Sequence, residues 1–208
     1  MKVLVTGSSG LVGSHLVPLL RSKGHTVTRL VRSKSTASAG DAAYWNPAEG
    51  EIDTAGIEGY DAVVHLAGEN IAGRWTEEKK ARILESRVHG TELLMEALSG
   101  LGSRPGVVVA ASGVGYYGDR GDEVLTEESP QGKGFLAHVS GRWEDVLDIG
   151  KGAGIRVVKM RMGMVLSPEG GALRQMLIPF KLGIAGRIGS GKQYWRWISM
   201  EDLTEGLC

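Results

Sequence analysis

"MKVLVTGSSGLVGSHL", residues 1–16, decides the fold. Lys2 to Thr6 is a short, β-branched and apolar run, which predicts a strand buried on both faces. The chain then passes glycines at 7, 10 and 13 and enters an apolar-periodic stretch from Leu11 to Ser22, which predicts a helix. In a strand–turn–helix unit the three glycines have separate tasks. Gly7 permits the sharp turn, Gly10 lets the backbone approach a pyrophosphate, and Gly13 lets the helix pack closely on the strand. N–H groups of the first helical turn then point at an anion. Gly7, Ser8, Ser9, Gly10, Leu11, Val12 and Gly13 are accordingly the expected cradle for a dinucleotide. The flanking strand and helix favour that reading over a tight βα turn without a ligand. Pro18, inside the helix, predicts a kink or a local break.

The next strand, Thr26 to Val31, carries the choice of dinucleotide. An NAD site usually places an acidic residue about twenty residues beyond the glycines, where it accepts from the ribose 2′-hydroxyl. Here the residue nineteen positions after Gly13 is Arg32, followed by Ser33 and Lys34. A guanidinium can hold a 2′-phosphate with paired charge-assisted hydrogen bonds, whereas a carboxylate repels it. NADP(H) is therefore the expected cofactor, with Arg32 and Ser33 at its phosphate; the competing reading of Arg32 is an ordinary exposed arginine.

Further along, strands are expected at Ala62 to Leu66, Val107 to Ala111 and Ile155 to Met160. Helices are expected at Glu77 to Leu98 and Leu136 to Lys151, with a Gly- and Ala-rich connection between Val31 and Ala62. Alternating helices and almost wholly apolar strands predict an α/β architecture, a Rossmann-type doubly wound parallel sheet. Beyond Met160 a helix near Leu173 to Leu182 and a strand "YWRWIS" suggest a small, truncated C-terminal substrate lobe. The expected division is a dinucleotide-binding domain over 1–165 and a partial lobe over 166–208 packed on it as a single unit. "MEDLTEGLC" reads as a helix start capped by Glu201 or Asp202, so a fragment of a longer protein is expected.

Twenty-four basic and twenty-four acidic residues leave no net charge, so neither nucleic acid nor an anionic membrane is an expected partner. A small-molecule substrate is expected, and a homodimer is compatible with the sequence. One cysteine, Cys208, excludes an intramolecular disulfide, and the five histidines lack metal-ligand spacing, so no metal is expected. With no leader or long apolar run, the expected location is the cytoplasm. "GRIGSGKQ", residues 186–193, opens like a phosphate-binding P-loop, but Gln193 replaces the magnesium-binding hydroxyl and a strand follows, which excludes a nucleotide triphosphatase. Ser112 lacks the flanking glycines of a nucleophile elbow.

With TGSSGLVG, "DAVVHLAGEN" (61–70), "SRVHGTELL" (86–94) and "ASGVGYYG" (111–118), the chain resembles the extended short-chain dehydrogenase/reductases over essentially its whole length. "HLAGENI", "RWTEEKKARILESRV", "GYYGD" and "GGAL" with "GSGKQYWRWI" resemble the atypical, sugar-nucleotide-epimerase-like group, whose reactions are mostly unassigned. The resemblance implies that Leu66, Ala67 and Gly68 line the cofactor. It places Ser112 at the serine that orients the substrate oxygen, and Arg87 where an asparagine is usual. The positions of the superfamily's proton-moving tyrosine and its lysine fall on Leu136 and Ser140, within "FLAHVSGRWE" (135–144). Leucine cannot transfer a proton, and serine cannot replace a cation. Arg87 is the candidate for restoring the charge beside the cofactor. Glu69 is the alternative acid/base, against a loop-bracing role, and Tyr117 another, against packing; Tyr116 and His138 are weaker candidates. Asn70, Gly171, Met176, Gln193 and Trp197 are the expected substrate contacts, with simple packing as the competing reading of Trp195 and Trp197. Two readings result: an oxidoreductase or epimerase acting on a sugar-like or nucleotide-linked molecule, and a non-catalytic, NADP(H)-dependent regulatory or interaction protein.

Overall fold

A computed structural model describes residues 1–38 and 40–208. In chain order the elements are β1 (Lys2–Thr6), α1 (Leu11–Ser22), β2 (Thr26–Val31), α2 (Lys34–Ala37), β3 (Ala42–Asn46), β4 (Glu51–Ile52), β5 (Ala62–His65), α3 (Glu77–Gly100), β6 (Val107–Gly113), α4 (Phe135–Leu147), α5 (Ile149–Gly152), β7 (Arg156–Met162), β8 (Met164–Leu166), α6 (Gly171–Lys181), β9 (Trp197–Ser199) and α7 (Met200–Gly206). A 3₁₀ turn, Val114–Tyr117, follows β6 directly. The main sheet has the order β4-β3-β2-β1-β5-β6-β7 and is parallel except for the β3–β4 pair.

Period-two alternation divides the core between the two faces of this sheet. Leu4 and Val63 join Leu94, Met95, Leu98, Leu147 and Ile155 on the side of α3 and α4. Val3, Val5 and Val64 join Leu16, Val17, Leu20, Leu203 and Leu207 on the side of α1 and α7. Strand order reverses between β1 and β5, and their carboxyl ends therefore open the crevice in which doubly wound sheets bind ligands.

Several expectations are corrected. The connection after β2 contains β3 and β4, whose alternating, half-buried residues are too few to stand out as a periodic run. No local break occurs at Pro18, since the first helix runs from Leu11 to Ser22 through it. The expected helix 136–151 divides at Asp148, whose carboxylate pairs with Lys151 and Lys159; beyond the break, a Cβ on Gly150 would lie 2.3 Å from Met95 Cε. Only Trp197–Ser199 of "YWRWIS" is strand, paired in parallel with β8. The final helix is capped by neither Glu201 nor Asp202: Ser199 Oγ accepts from the Asp202 N–H at 3.0 Å. That helix lies on the main core beside α1, through Leu203 and Leu207. No described helix is long and apolar enough to cross a membrane.

Candidate functional site

At the end of β1, Gly7 has φ +68°, and a Cβ there would lie 2.7 Å from the Leu66 carbonyl carbon. Gly13 is tighter still, because its Cβ would stand 2.3 Å from Gly7 O. Backbone atoms cannot yield as a flexible side chain can, so the turn, α1 and the exit of β5 meet only through these glycines. Gly10 precedes α1 with no side chain to cap it, and the first turn contains no acidic residue. The first-turn donors, which have no acceptor within the helix, are thus left to an external anion. This cradle fits the pyrophosphate of a dinucleotide. Ser8 and Ser9 form its rim, Leu11 and Val12 begin the helix, and Leu11 packs against Gly170 and Gly171.

The exit of β5 is fixed by a buried chain of polar groups. Thr6 Oγ1 accepts from the N–H groups of Leu66 and Ala67, both at 3.1 Å, and so donates its own proton to His65 Nδ1 at 2.7 Å. His65 Nε2 therefore carries the ring proton and donates to Thr91 Oγ1 at 2.8 Å, which also accepts from Trp143 Nε1. Burial, with Arg87 adding to it, pushes the His65 pKa down to about 4 and keeps the ring neutral. The Leu66–Ala67 backbone is thereby held against Gly7.

Arg87 supports this exit from α3. Its Nη1 donates to Glu69 O at 3.0 Å, its guanidinium lies over the Trp143 ring at 5.0 Å, and burial lowers its pKa. It is a brace under Gly68, where a Cβ would lie 3.2 Å from Arg87 Cζ. Glu69 forms an ion pair with Lys79 at 2.6 Å, and that hydrogen bond holds its carboxyl below the usual range. This places Glu69 in a loop-bracing arrangement. Asn70 Oδ1 accepts from Ala72 N–H in the turn that follows. Arg32 is exposed at the end of β2 and makes no ion pair or side-chain hydrogen bond among the described residues; Ser33 caps α2.

Ser112 stands one residue before the end of β6. It is buried, and its hydroxyl donates to Glu144 at 2.6 Å. Glu144 also accepts two hydrogen bonds from Arg161, at 2.9 and 2.8 Å. Burial raises the Glu144 pKa, but the hydrogen bonds from Arg161 and Ser112 outweigh it and hold the carboxyl below its ordinary value. Arg161 in turn donates to Tyr117 OH at 2.9 Å and lies 3.5 Å above the Tyr116 ring. Ser112 and Tyr117 are thus joined in one ionic cluster that fastens β6, β7 and α4.

Beyond the end of β6 lies an open cleft of about 480 Å³ lined by Trp75, Val114–Gly115, Gly118–Asp119, Lys133–Ala137 and Arg196. Two loops cross beside it: Gly132 passes so close to Tyr117 that a Cβ would stand 1.9 Å from Tyr117 O. Leu136 is on the wall, against Gly115, while Ser140 is buried one turn further along α4. His138 is exposed and outside the cleft. The expected substrate contacts are not on the cleft wall. Gly171 and Met176 belong to α6, Gln193 bonds within its own loop to Ile188 O at 2.8 Å, and Trp197 is exposed at the start of β9. Trp75, Lys133, Phe135 and Arg196 escaped sequence reasoning, since only the fold brings these four together. No group of three or more potential metal ligands occurs among the described residues.

The NAD dependent epimerase/dehydratase family model matches residues 3–208. The chain belongs to that family. Among relatives of this epimerase family, a protein of Mycobacterium bovis is 43% identical over 206 residues, covering 99% of this chain and 67% of its own length. A chloroplastic homologue from Arabidopsis thaliana is 39% identical, with 60% of its length covered. The chain thus spans about two thirds or less of these curated relatives. A solved human epimerase family protein, SDR39U1 with NADPH, superposes with TM-score 0.87 at 36% identity, covering 100% of this chain and 68% of that one. A nucleoside-diphosphate sugar epimerase from Corynebacterium glutamicum gives TM-score 0.86 at 38% identity, covering 100% of this chain and 42% of that one. These epimerase-family neighbours share the Rossmann-type sheet described above.

Proposed function

We propose that this chain binds NADP(H) and forms the core of an oxidoreductase or epimerase acting on a small molecule. The carrying observation is the uncapped α1 cradle with Arg32, and no carboxylate, at the end of β2. The NADPH of the human relative supports the same cofactor. In this reading the first-turn N–H groups of α1 hold the pyrophosphate, Arg32 holds the 2′-phosphate, and Leu66–Gly68 line the ribose side. When bound, the nicotinamide supplies or accepts a hydride. Leu136 and Trp75 give the cleft an apolar wall. Lys133 Nζ and the Asp119 carboxylate are the wall groups able to exchange a proton, the roles first sought at Glu69 and Tyr117 being taken up by bracing contacts. A cytoplasmic setting belongs to the same proposal.

NADPH and NADH titrations followed by cofactor fluorescence test the cofactor. Arg32→Ala should weaken NADPH at least tenfold and leave NADH nearly unchanged; equal losses overturn the assignment. Turnover is tested with NADPH deuterated at the transferable position and incubated with cell extract, where label should pass to a small molecule.

One observation favours a second reading, a non-catalytic NADP(H)-dependent interaction protein. The tyrosine and lysine positions hold Leu136 and Ser140, and the Ser112 hydroxyl is committed to Glu144. Label that stays on a demonstrably bound cofactor, with captured partners that differ between NADP and NADPH, would select this reading.

A further inference from the structure

The cleft wall has a chemistry of its own. Trp75 meets Phe135 edge to face, with ring centroids 5.3 Å apart, and its indole N–H already donates to Ile71 O at 2.7 Å. The polar atom of the indole is therefore satisfied within its loop, and the ring's contribution to the cleft is apolar. Val114, Leu136 and Ala137 extend that apolar wall, and Gly115, Gly118 and Gly134 place bare backbone beside it. Along this apolar stretch a sugar hydroxyl would find no side-chain partner, and an unpaired polar group set against it is costly. A flat ring finds aromatic edges and room for close approach.

Charge narrows the choice. Lys133 and Arg196 line the cleft, and neither makes an ion pair or side-chain hydrogen bond among the described residues. The one carboxylate on the wall, Asp119, accepts from Gly121 N–H at 3.1 Å to close its own turn. Two cations without partners thus face a cavity whose 480 Å³ lies in the range of small-molecule sites. We propose that this cleft binds an aromatic carboxylate, its ring against Trp75, Phe135 and Leu136 and its acid group on Lys133 and Arg196. The inference rests on reading the cleft as the substrate side of the dinucleotide site.

Calorimetry of the full 208-residue chain saturated with NADP tests it, with three probes of one shape: 2-naphthoate, 2-naphthylmethanol and 2-naphthylmethyl-trimethylammonium. The acid should bind at least tenfold more tightly than the alcohol, and the cation least. Lys133→Gln with Arg196→Gln should abolish the preference for the acid, while Trp75→Leu should weaken acid and alcohol alike. All three substitutions should leave NADPH affinity, read by cofactor fluorescence, unchanged, and the lysine and arginine substitutions should leave the melting temperature unchanged as well. Equal binding of acid and alcohol, a preference that survives in the double variant, or no naphthalene binding beside intact NADPH binding would each overturn the proposal. Absence of NADPH binding would instead overturn the cofactor reading.

Discussion

His65 shows how much one buried ring can impose on a site that it does not touch. Its neutral tautomer is dictated by Thr6, whose oxygen already receives two backbone N–H bonds. Protonation would put two donors face to face and charge a group with no exposure to water. A folded-state pKa of about 4, against 6.5 for a free imidazole, makes the unfolded chain the stronger proton binder. Stability from this residue is therefore fully present above pH 6.5 and lost as pH falls toward 4, by roughly 3 kcal/mol. Urea unfolding at stepped pH should show the loss. His65→Gln, which can accept from Thr6 and donate to Thr91 without titrating, should flatten the slope in that window. An unchanged slope would mean that carboxylates alone produce it.

At the scale of elements, the cradle is a three-way backbone junction, and its tolerance is set by the smallest gap. Gly13→Ala places a methyl group 2.3 Å from Gly7 O, whereas Gly10→Ala places one at 3.2 Å. Overpacking of this kind costs about 1–3 kcal/mol. Gly13→Ala should lower both the melting temperature and NADPH affinity, the latter at least tenfold, and Gly10→Ala should be milder in melting; the reverse ranking would refute this geometry. The junction was legible in the sequence because its demands are local: strand, turn and helix lie within residues 1–22. The exposed position of Arg32 at the end of β2 was legible for the same reason. The ties of Ser112 were not, since Glu144 and Arg161 reach it from α4 and β7 and no spacing along β6 announces them. Nor was the cleft, whose wall joins Trp75, Lys133 and Arg196 from three distant loops. Arg196 was further obscured by a "YWRWIS" run whose aromatic residues imitate a longer strand than the one that forms.

At the scale of the whole molecule, the exposed surface is least even along α6 and the segment after it. Ile178, Phe180, Leu182, Ile184, Ile188, Tyr194 and Trp197 all stand exposed. Large exposed apolar patches mark surfaces that associate. Sedimentation of the 208-residue chain should therefore show concentration-dependent self-association. Ile178→Glu with Phe180→Glu should reduce it and leave NADPH binding intact, and an equally associated variant would place the contact elsewhere. The opposite end of the chain has its own consequence. Helix α7 covers α1 through Leu203 and Leu207, and Lys23 pairs with Glu205 across 182 residues. One face of the sheet therefore closes over α1 only when a helix far along the chain has formed. Long-range contacts of this kind slow folding. On the ribosome, α1 with its phosphate cradle is thus translated long before the helix that covers it.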